Sequence, residues 1–123
     1  MKEYMLLIRN ETDAKKSLGQ EEHLSFIREC ETYISKIGDR LIAAQPLIRD
    51  GVVLSKKDGE WKEKALEPDI EVQVGYYHIL AKDIKEALNI AKNNPEFEYV
   101  PSATIEVREI KTEEEKTSFV YPK

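Results

Sequence analysis

The stretch EVQVGYYHIL, from Glu71 to Leu80, decides the fold of this chain. It is long enough for a complete β-strand, and it is rich in the β-branched and aromatic residues that strands favour. The side chains of a strand alternate between its two faces. One face takes Val72, Val74, Tyr76, His78 and Leu80, and the other takes Gln73, Gly75, Tyr77 and Ile79. Because both faces carry apolar residues, we expect a central strand that is covered on both sides.

Length and composition predict a single domain in the cytoplasm. A chain of 123 residues is enough for one ordinary core without metal or disulfides. The net charge is -5 and the basic residues are scattered among acids, so nucleic acid is a poor candidate partner. The one cysteine, Cys30, suits a reducing compartment. The longest early apolar run, Met5 to Ile8, is too short for a signal peptide or a membrane span.

The residues before the central strand predict a strand, a helix and a second strand. Glu3 to Arg9 is almost continuously apolar and should be a central strand too. Ser17 to Gln20 fits a capping box at the start of a helix, which should stop at Gly38. Arg40 to Leu47 follows as the second strand. Pro46 removes a backbone donor, which indicates the end of a strand or the edge of a sheet.

The first helix should bury one apolar stripe against the sheet. The stripe consists of Phe26, Ile27, Cys30, Tyr33, Ile34 and Ile37, which recur at helical spacing. Cys30 lies in the middle of this stripe, so we expect a buried and unreactive thiol.

A hairpin is predicted between the second strand and the central strand. Val52 to Lys56 and Glu60 to Lys64 flank Asp58-Gly59, and Asp-Gly is a strong signal for a tight turn. This ribbon is expected as an addition to the main sheet. Trp61 on the hairpin is interpreted as a packing residue.

After the central strand, the chain predicts a second helix and a last strand. Asp83 and Glu86 form a capping box, and the helix should end near Asn93 because Pro95 disfavours helical geometry in the residue before it. The last strand runs from Ala103 to Ile110. Its alternation turns Ile105 and Val107 to one face and Thr104, Glu106 and Arg108 to the other.

The element order β-α-β-(hairpin)-β-α-β predicts an α+β fold of the ferredoxin-like type, in which two helices cover one face of a four-stranded antiparallel sheet. The other face is too apolar to remain in water, and two such faces can cover each other in a homodimer. Residues 1–110 form the predicted domain, and residues 111–123 form a charged tail with an apolar end at Phe119 to Tyr121. We expect that end to dock onto the partner subunit or over a cleft.

Several short motifs together resemble a protein family. They are Tyr4-Met-Leu-Leu-Ile8, the helix end at Gly38, Gln45-Pro46-Leu47, Gly75-Tyr-Tyr77, Glu86-Ala87 and Glu106-Val-Arg108. In this order and spacing they are similar to a YCII-related domain of the DGPF type, over roughly residues 1–110. The resemblance implies a dimeric α/β barrel, in which two ferredoxin-like subunits join sheet to sheet around a cleft.

The resemblance also implies a candidate acid-base pair. Relatives of the YCII type carry a His at the start of the first helix, which His23 matches, and an Asp just before a Pro after the second helix. Asn94, before Pro95, stands at the position of that Asp. An Asn can accept the N–H of an imidazole, but it cannot stabilise an imidazolium with a full charge. The Asp-Gly-Pro-Phe signature is absent, and Lys64 to Pro68 occupies about its place.

A second group of candidate residues lies on the predicted subunit interface. His78 and Tyr76 point to that face, and Glu106 and Arg108 share it on the last strand, separated from His78 by the first strand. A carboxylate, a guanidinium and an imidazole in one cleft could bind and polarise a small acid or carbonyl compound. The alternative is a structural ion pair between Glu106 and Arg108, with His78 hydrogen-bonded across the dimer.

His23 admits two interpretations as well. The positive end of the helix disfavours imidazolium, which suits a general base and equally suits a histidine buried in the first turn. The sequence has no spacing typical of a metal site and no glycine-rich phosphate loop, so we expect neither metal nor cofactor. Glu113 to Glu115 are expected to be solvated.

Two classes of function follow from these residues. The first is a cofactor-independent enzyme that acts on a small polar or acidic metabolite in a cleft between subunits. The alternative is a dimeric module that binds or senses a small molecule without catalysis. The fold does not choose between them, because it hosts many activities.

Overall fold

A computed structural model of the chain describes residues 1–11, 18–67 and 71–123. In chain order the elements are β1 (Lys2–Asn10), α1 (Gln20–Ile37), a 3-10 turn (Gly38–Arg40), β2 (Leu41–Pro46), β3 (Val52–Lys57), β4 (Glu60–Ala65), β5 (Val72–Ala81), α2 (Ile84–Lys92), α3 (Glu96–Tyr99) and β6 (Thr104–Glu109). The short helix α3 was not predicted from the sequence.

The main sheet has the strand order β2-β5-β1-β6, and every neighbouring pair is antiparallel. The strands β5 and β1 are central, and β2 with Pro46 at its end is an edge strand, as the sequence predicts. The predicted α+β class with antiparallel pairing is therefore confirmed. None of the helices within the described residues is long and apolar enough to cross a membrane.

The core lies between one face of the main sheet and the helices. It consists of Tyr4, Leu6 and Ile8 of β1, Tyr33 and Ile37 of α1, Tyr77, Ile79 and Ala81 of β5, and Ala87 and Ala91 of α2. The even positions of β1 all point to this helix side, because side chains alternate along a strand. The hydroxyl of Tyr33 donates to the carbonyl of Ile90 at 2.8 Å, so burial leaves this polar group satisfied.

A β-bulge in β5 places some side chains of the central strand on a different face from the predicted one. Ile8 pairs with Gly75 and Arg9 pairs with Gln73, which leaves Val74 as the extra residue. A bulge interrupts the alternation of side chains. As a result, Val74 packs against the helix-side core, and Val72 is buried opposite Asn10. The prediction that both valines share a face with Tyr76 is wrong.

The helix ends follow from local sequence. In α2, Asp83 accepts from the backbone N–H of Glu86 at 2.9 Å, and the carboxylate of Glu86 accepts from the N–H of Lys82 at 3.2 Å, so the predicted cap is confirmed. The helix α1 ends at Gly38, whose φ of 61° favours glycine. The helix begins at Gln20 with Gly19 as its N-cap residue, and the predicted cap residue Ser17 lies outside the described residues.

The strands β3 and β4 form a separate two-stranded sheet instead of an addition to the main one. The predicted turn is confirmed, since Asp58 and Gly59 both adopt positive φ, 51° and 79°, as a tight hairpin turn requires. The exposed ring of Trp61 lies opposite Lys56, whose Nζ is 5.1 Å from the ring centroid. Trp61 therefore packs with its neighbour across the hairpin.

The tail folds back on itself through local bonds. Glu113 pairs with Val120 in an isolated β-bridge. The carboxylate of Glu114 accepts from the hydroxyl of Tyr121 and lies 2.7 Å from the ammonium of Lys111. Glu114 is half-buried by these contacts, whereas Glu113 and Glu115 are exposed, as expected for a solvated run.

Candidate functional site

The face of the main sheet opposite the helices, which we call the helix-free face, carries the residues predicted for a subunit cleft. Met5 of β1 pairs with His78 on one side and with Arg108 on the other. Leu7 pairs in the same way with Tyr76 and Glu106, so the four candidates form two rows across β1. Neighbouring strands lie about 4.8 Å apart, which places the backbones of His78 and Arg108 about 10 Å from each other.

The imidazole of His78 is engaged by a carboxylate that sequence reasoning missed. Its Nε2 lies 3.0 Å from Oε1 of Glu3, and Oε2 of Glu3 lies 2.8 Å from the Nζ of Lys123 in the tail. The side chain of Glu3 is only 9% exposed. The hydrogen bond from Lys123 holds the pKa of Glu3 below its ordinary value, with a smaller contribution from His78, although desolvation acts in the opposite direction. Glu3 lies two positions before Met5 on the same strand and therefore points to the same face. This alternation was the sequence signal that could have identified Glu3.

Glu106 and Arg108 make only a loose pair. Their closest charged atoms are 3.9 Å apart, and their side chains are 48% and 72% exposed. The described residues thus bring Glu3, not Glu106, to the imidazole of His78.

A cavity of about 320 Å³ lies on the other side of the sheet, between α1, β2, β5 and the segment from Asn94 to Glu96. We call it the helix-side cavity. Its apolar wall includes Phe26, Ile27, Ile34, Pro46 and Val74. Cys30 also lines it and is half-buried, so the prediction of a fully buried thiol is wrong. The cavity lies between the sheet and the middle of α1, where Cys30 stands, whereas Tyr33 and Ile37 of the same stripe pack into the core.

Asn94 places an unsatisfied donor in the wall of this cavity. The residue is 3% exposed, and its Oδ1 accepts from the backbone N–H of Glu96 at 2.9 Å. The Nδ2 atom is buried and makes no hydrogen bond of normal geometry to the described residues, although the Asn94 amide lies close enough to the phenol of Tyr33 to oppose the rise in that phenol's pKa. The local sequence fixes the position of Asn94, because α2 ends just before Asn94 and α3 begins just after Pro95. A buried donor without a partner is rare in folded proteins and requires an explanation.

A buried polar network supports the same wall. The Nδ2 of Asn10 donates to Oε1 of Glu96 at 3.4 Å, and the guanidinium of Arg49 donates to Oδ1 of Asn10 at 2.5 Å and to its carbonyl at 3.4 Å. Asn10 and Glu96 are 1% and 3% exposed. Sequence reasoning missed this network, because Asn10 and Glu96 lie at the ends of distant elements and Arg49 lies in the loop between β2 and β3, where polar residues are common.

Tyr77 adds a second donor to the cavity. Burial raises the pKa of its phenol to about 12, and the nearby Cys30 and Glu96 contribute in the same direction. The phenol therefore keeps its proton at neutral pH. Its ring packs edge-on against Tyr33 at a centroid distance of 5.3 Å, which fixes its orientation.

His23 does not join Asn94 in the cavity. It lies on the exposed first turn of α1, and Phe26 is the first helical residue that is even half-buried. The interpretation of His23 as a buried core residue is therefore wrong, because this turn extends beyond the packed part of the helix. The proposed pairing of His23 with Asn94 stays a prediction.

A larger concavity of about 590 Å³ lies between α1 and α2 and includes Glu29, Lys36, Arg40 and Glu98. It is an open groove, and Arg40 in it is already bonded to Glu86. The helix-side cavity is the better candidate, because it combines enclosure with a buried unsatisfied group.

No model of a known protein family matches the chain, and no curated protein matches it either. Within the described residues, no group of three or more His, Cys, Asp or Glu side chains is arranged to hold a metal ion.

Proposed function

We propose that this chain is a cytoplasmic YCII-related protein with a ferredoxin-like subunit, and that it acts as a cofactor-independent enzyme on a small molecule in the helix-side cavity. The observation that carries the proposal is the buried Nδ2 of Asn94, which makes no hydrogen bond of normal geometry to the described residues and has only the phenol of Tyr33 nearby. A ligand oxygen at this point supplies the missing acceptor. The cavity replaces the cleft between subunits as the favoured site, because the charges predicted for that cleft are paired or exposed.

The chemistry of the wall supports an enzyme that moves a proton. The N–H of Asn94 and the O–H of Tyr77 can hold a ligand oxygen and stabilise negative charge that develops on it. The carboxylate of Glu96 lines the same cavity and is the candidate proton acceptor. This combination suits an isomerase or lyase that removes a proton next to a carbonyl group.

One observation favours the alternative of a binding module without catalysis. Asn94 replaces the Asp of YCII-type relatives, and His23 is exposed and does not line the cavity. In this alternative, Asn94 and Tyr77 only orient the ligand.

The first experiment is native mass spectrometry of the purified full chain, to detect a retained small molecule. We expect Asn94→Leu to lose the molecule, because it removes the donor and fills its place with an apolar group. The matched control is Asn89→Leu, which changes an exposed residue of α2. Equal retention in Asn94→Leu and the wild type would contradict the proposed site.

The second experiment separates catalysis from binding. The released molecule is incubated with wild-type protein and with Glu96→Gln, and its chemical identity is followed by mass spectrometry. If the protein is an enzyme, it converts the molecule or exchanges the molecule's protons for deuterium in D₂O. Glu96→Gln should abolish this activity. A molecule that stays unchanged in both samples, while it binds both proteins, supports the binding module.

The proposal includes a homodimer formed through the helix-free face. In support, Met5, Leu7, Tyr76 and Leu80 lie on this face, which the helices do not cover. Light scattering should return twice the chain mass of 14.2 kDa. We expect Leu7→Lys to shift the protein to the monomer, whereas Val53→Lys on the separate hairpin should leave the dimer intact. A monomeric wild type would refute this part.

A further inference from the structure

The hairpin of β3 and β4 extends beyond the β2–β5 pair of the main sheet. It continues that pair, because the N–H of Leu47 donates to the carbonyl of Val74 and the N–H of Leu66 donates to that of Gly51, both at 2.9 Å. Every residue of its two strands is exposed. Residues that pair across an antiparallel ribbon share a face, and the faces alternate along each strand, so the hairpin has two distinct faces.

One face of the hairpin, which we call the apolar arm face, combines aliphatic and aromatic side chains. It consists of Val52, Leu54 and Lys56 of β3 and of Trp61, Glu63 and Ala65 of β4. Val52, Leu54 and Trp61 are 64%, 61% and 64% exposed. A two-stranded ribbon is only marginally stable in water unless its apolar face packs against another surface. The apolar arm face therefore requires a surface that the described residues of the same chain do not supply.

The charge of the hairpin favours a second copy of this chain as the source of that surface. Residues 52–65 contain four Lys and three acidic residues, a net charge of +1, so the other residues sum to −6, given the total of −5. The acidic body of one copy attracts the hairpin of another, whereas it repels a nucleic acid. Lys57, Lys62 and Lys64 lie on the face opposite the apolar arm face, where they stay in water when the arm docks.

The area of the proposed dimer interface also favours a second copy. The helix-free face has four strands that pair over about six residues, so its flat area is about 400 Å². Lys123 of the tail already occupies part of this face, at Glu3. A stable dimer buries about 800 Å² on each subunit. Side-chain relief enlarges the flat area, yet stacking of the two sheets alone leaves a shortfall that a second contact has to supply.

We propose that the apolar arm face of each subunit docks on the acidic body of a second copy of this chain, so that two exchanged hairpins clamp the dimer. The proposal rests on the homodimer that the proposed function includes, and it adds a second contact surface to the helix-free face. In a symmetric pair this contact occurs twice, once for each hairpin.

Trp61 is the only tryptophan of the chain, so its fluorescence reports the contact directly. The emission of Trp61 and its quenching by acrylamide are measured over a dilution series of the full chain, with the mass followed by light scattering. We expect free quenching in dilute monomer. At concentrations where the mass doubles, we expect protection from acrylamide and emission at shorter wavelength.

Two neighbouring substitutions separate the faces of the hairpin. Leu54→Lys places a charge on the apolar arm face and should raise the dissociation constant of the dimer about a hundredfold, about tenfold for each hairpin. Val53→Lys places the same charge on the lysine face and should leave the constant within about twofold. Both residues are exposed on the hairpin, so neither substitution disturbs the core.

The outcomes distinguish the arm contact from the proposed sheet contact. If the mass doubles while Trp61 stays as open to acrylamide as in dilute protein, or if Leu54→Lys and Val53→Lys affect the dimer equally, the arm contact is refuted and the sheet contact stands. If Leu7→Lys still dimerises with a protected Trp61, the sheet contact is refuted and the arm contact stands. If the wild type stays monomeric, both are refuted, and protection of Trp61 by phosphatidylglycerol vesicles would then assign the face to a membrane surface.

Discussion

The two faces of the main sheet carry polar clusters of opposite character. On the helix-free face, Glu3 is bonded on both carboxylate oxygens, to His78 and to Lys123. On the helix side, Asn94 keeps a buried N–H without a well-placed acceptor among the described residues. The cluster around Glu3 is charged, and its central carboxylate is satisfied. The group that makes no hydrogen bond of normal geometry within the described residues is the neutral amide of Asn94.

This difference shows that charge content is a poor guide to a site. Charged groups in a fold are commonly placed so that they neutralise each other, and such pairs also arise for structural reasons. An orphan donor in a cavity is different, because the fold gains nothing by burying it. A polar group that is buried without a hydrogen bond and without a benefit to stability is expected at a functional site.

The largest expected effect is on the network behind the cavity wall. We expect Asn10→Ala to lower the free energy of unfolding by about 3 kcal/mol, because it removes the hydrogen bonds that the buried Asn10 side chain makes to Glu96 and to Arg49. Urea unfolding measures this change. The control Asn89→Ala, at an exposed position of α2, should stay within about 0.5 kcal/mol of the wild type. Equal effects in both variants would show that the network does not support the wall.

Alkaline pH should act on the cavity through Tyr77. The pKa of Tyr77 is about 12 in the folded chain against 10.0 in a free phenol. Its contribution to stability is fully present below pH 10 and is lost as the pH rises through the folded value, because only the unfolded phenol readily releases its proton. The loss should approach about 3 kcal/mol, because each pKa unit corresponds to about 1.4 kcal/mol.

Thermal unfolding as a function of pH checks this expectation. Tyr77→Phe should show a shallower alkaline decline than the wild type. Part of the decline should persist in the variant, because burial also raises the pKa of Tyr33. An identical decline in both proteins would contradict the assignment to Tyr77.

Acid pH should act on the helix-free face. The pKa of Glu3 in the folded chain is below the ordinary value of 4.5, mainly through Lys123. The contribution of Glu3 to stability is therefore present above the ordinary pKa of a carboxyl group. It is lost as the pH falls through the lowered pKa of Glu3 in the folded chain. We expect Glu3→Gln to be less stable than the wild type at neutral pH and to approach it in strong acid. The control for an exposed carboxylate is Glu109→Gln. If the difference in stability between Glu3→Gln and the wild type stays constant with pH, the assignment to the Glu3 pairs is contradicted.

In dilute monomer, the smallest effect is expected for Arg108. There, Arg108→Leu should change the free energy of unfolding by less than about 1 kcal/mol, because its pair with Glu106 is long and exposed. At concentrations where the proposed dimer forms, burial of the face should raise this loss to several kcal/mol, roughly 3–5 kcal/mol, and only in the dimer does it match the effect of Asn10→Ala. Chemical unfolding at two protein concentrations measures both values. A loss of several kcal/mol in dilute monomer would contradict the exposed pair.

Much of the fold could be predicted because its signals are local. The alternation of β6, the capping box at Asp83, the end of α1 at Gly38 and the turn at Asp58 each depend on a few neighbouring residues. The bulge at Val74 was missed because a bulge is set by the pairing of two strands, and neither strand alone encodes it.

The candidate sites were predicted only in part for the same reason. The sequence placed His78, Glu106 and Arg108 on one face, since this requires only alternation and strand order. It did not find the partner of His78, because Glu3 is separated from it by 75 residues. Asn94 was selected through a resemblance, and its orphan N–H became visible only in the folded chain.

The sequence by itself determined the order of the elements and the two central strands, because propensity, capping and periodicity act over a few residues. Only the tertiary structure decided which polar groups are satisfied. Asn10 reaches Glu96 across 86 positions of the chain, and the cavity exists because α1 stands away from the sheet at Cys30. Hydrogen bonding and cavity shape depend on distances between segments that are remote in sequence, and no local pattern encodes those distances.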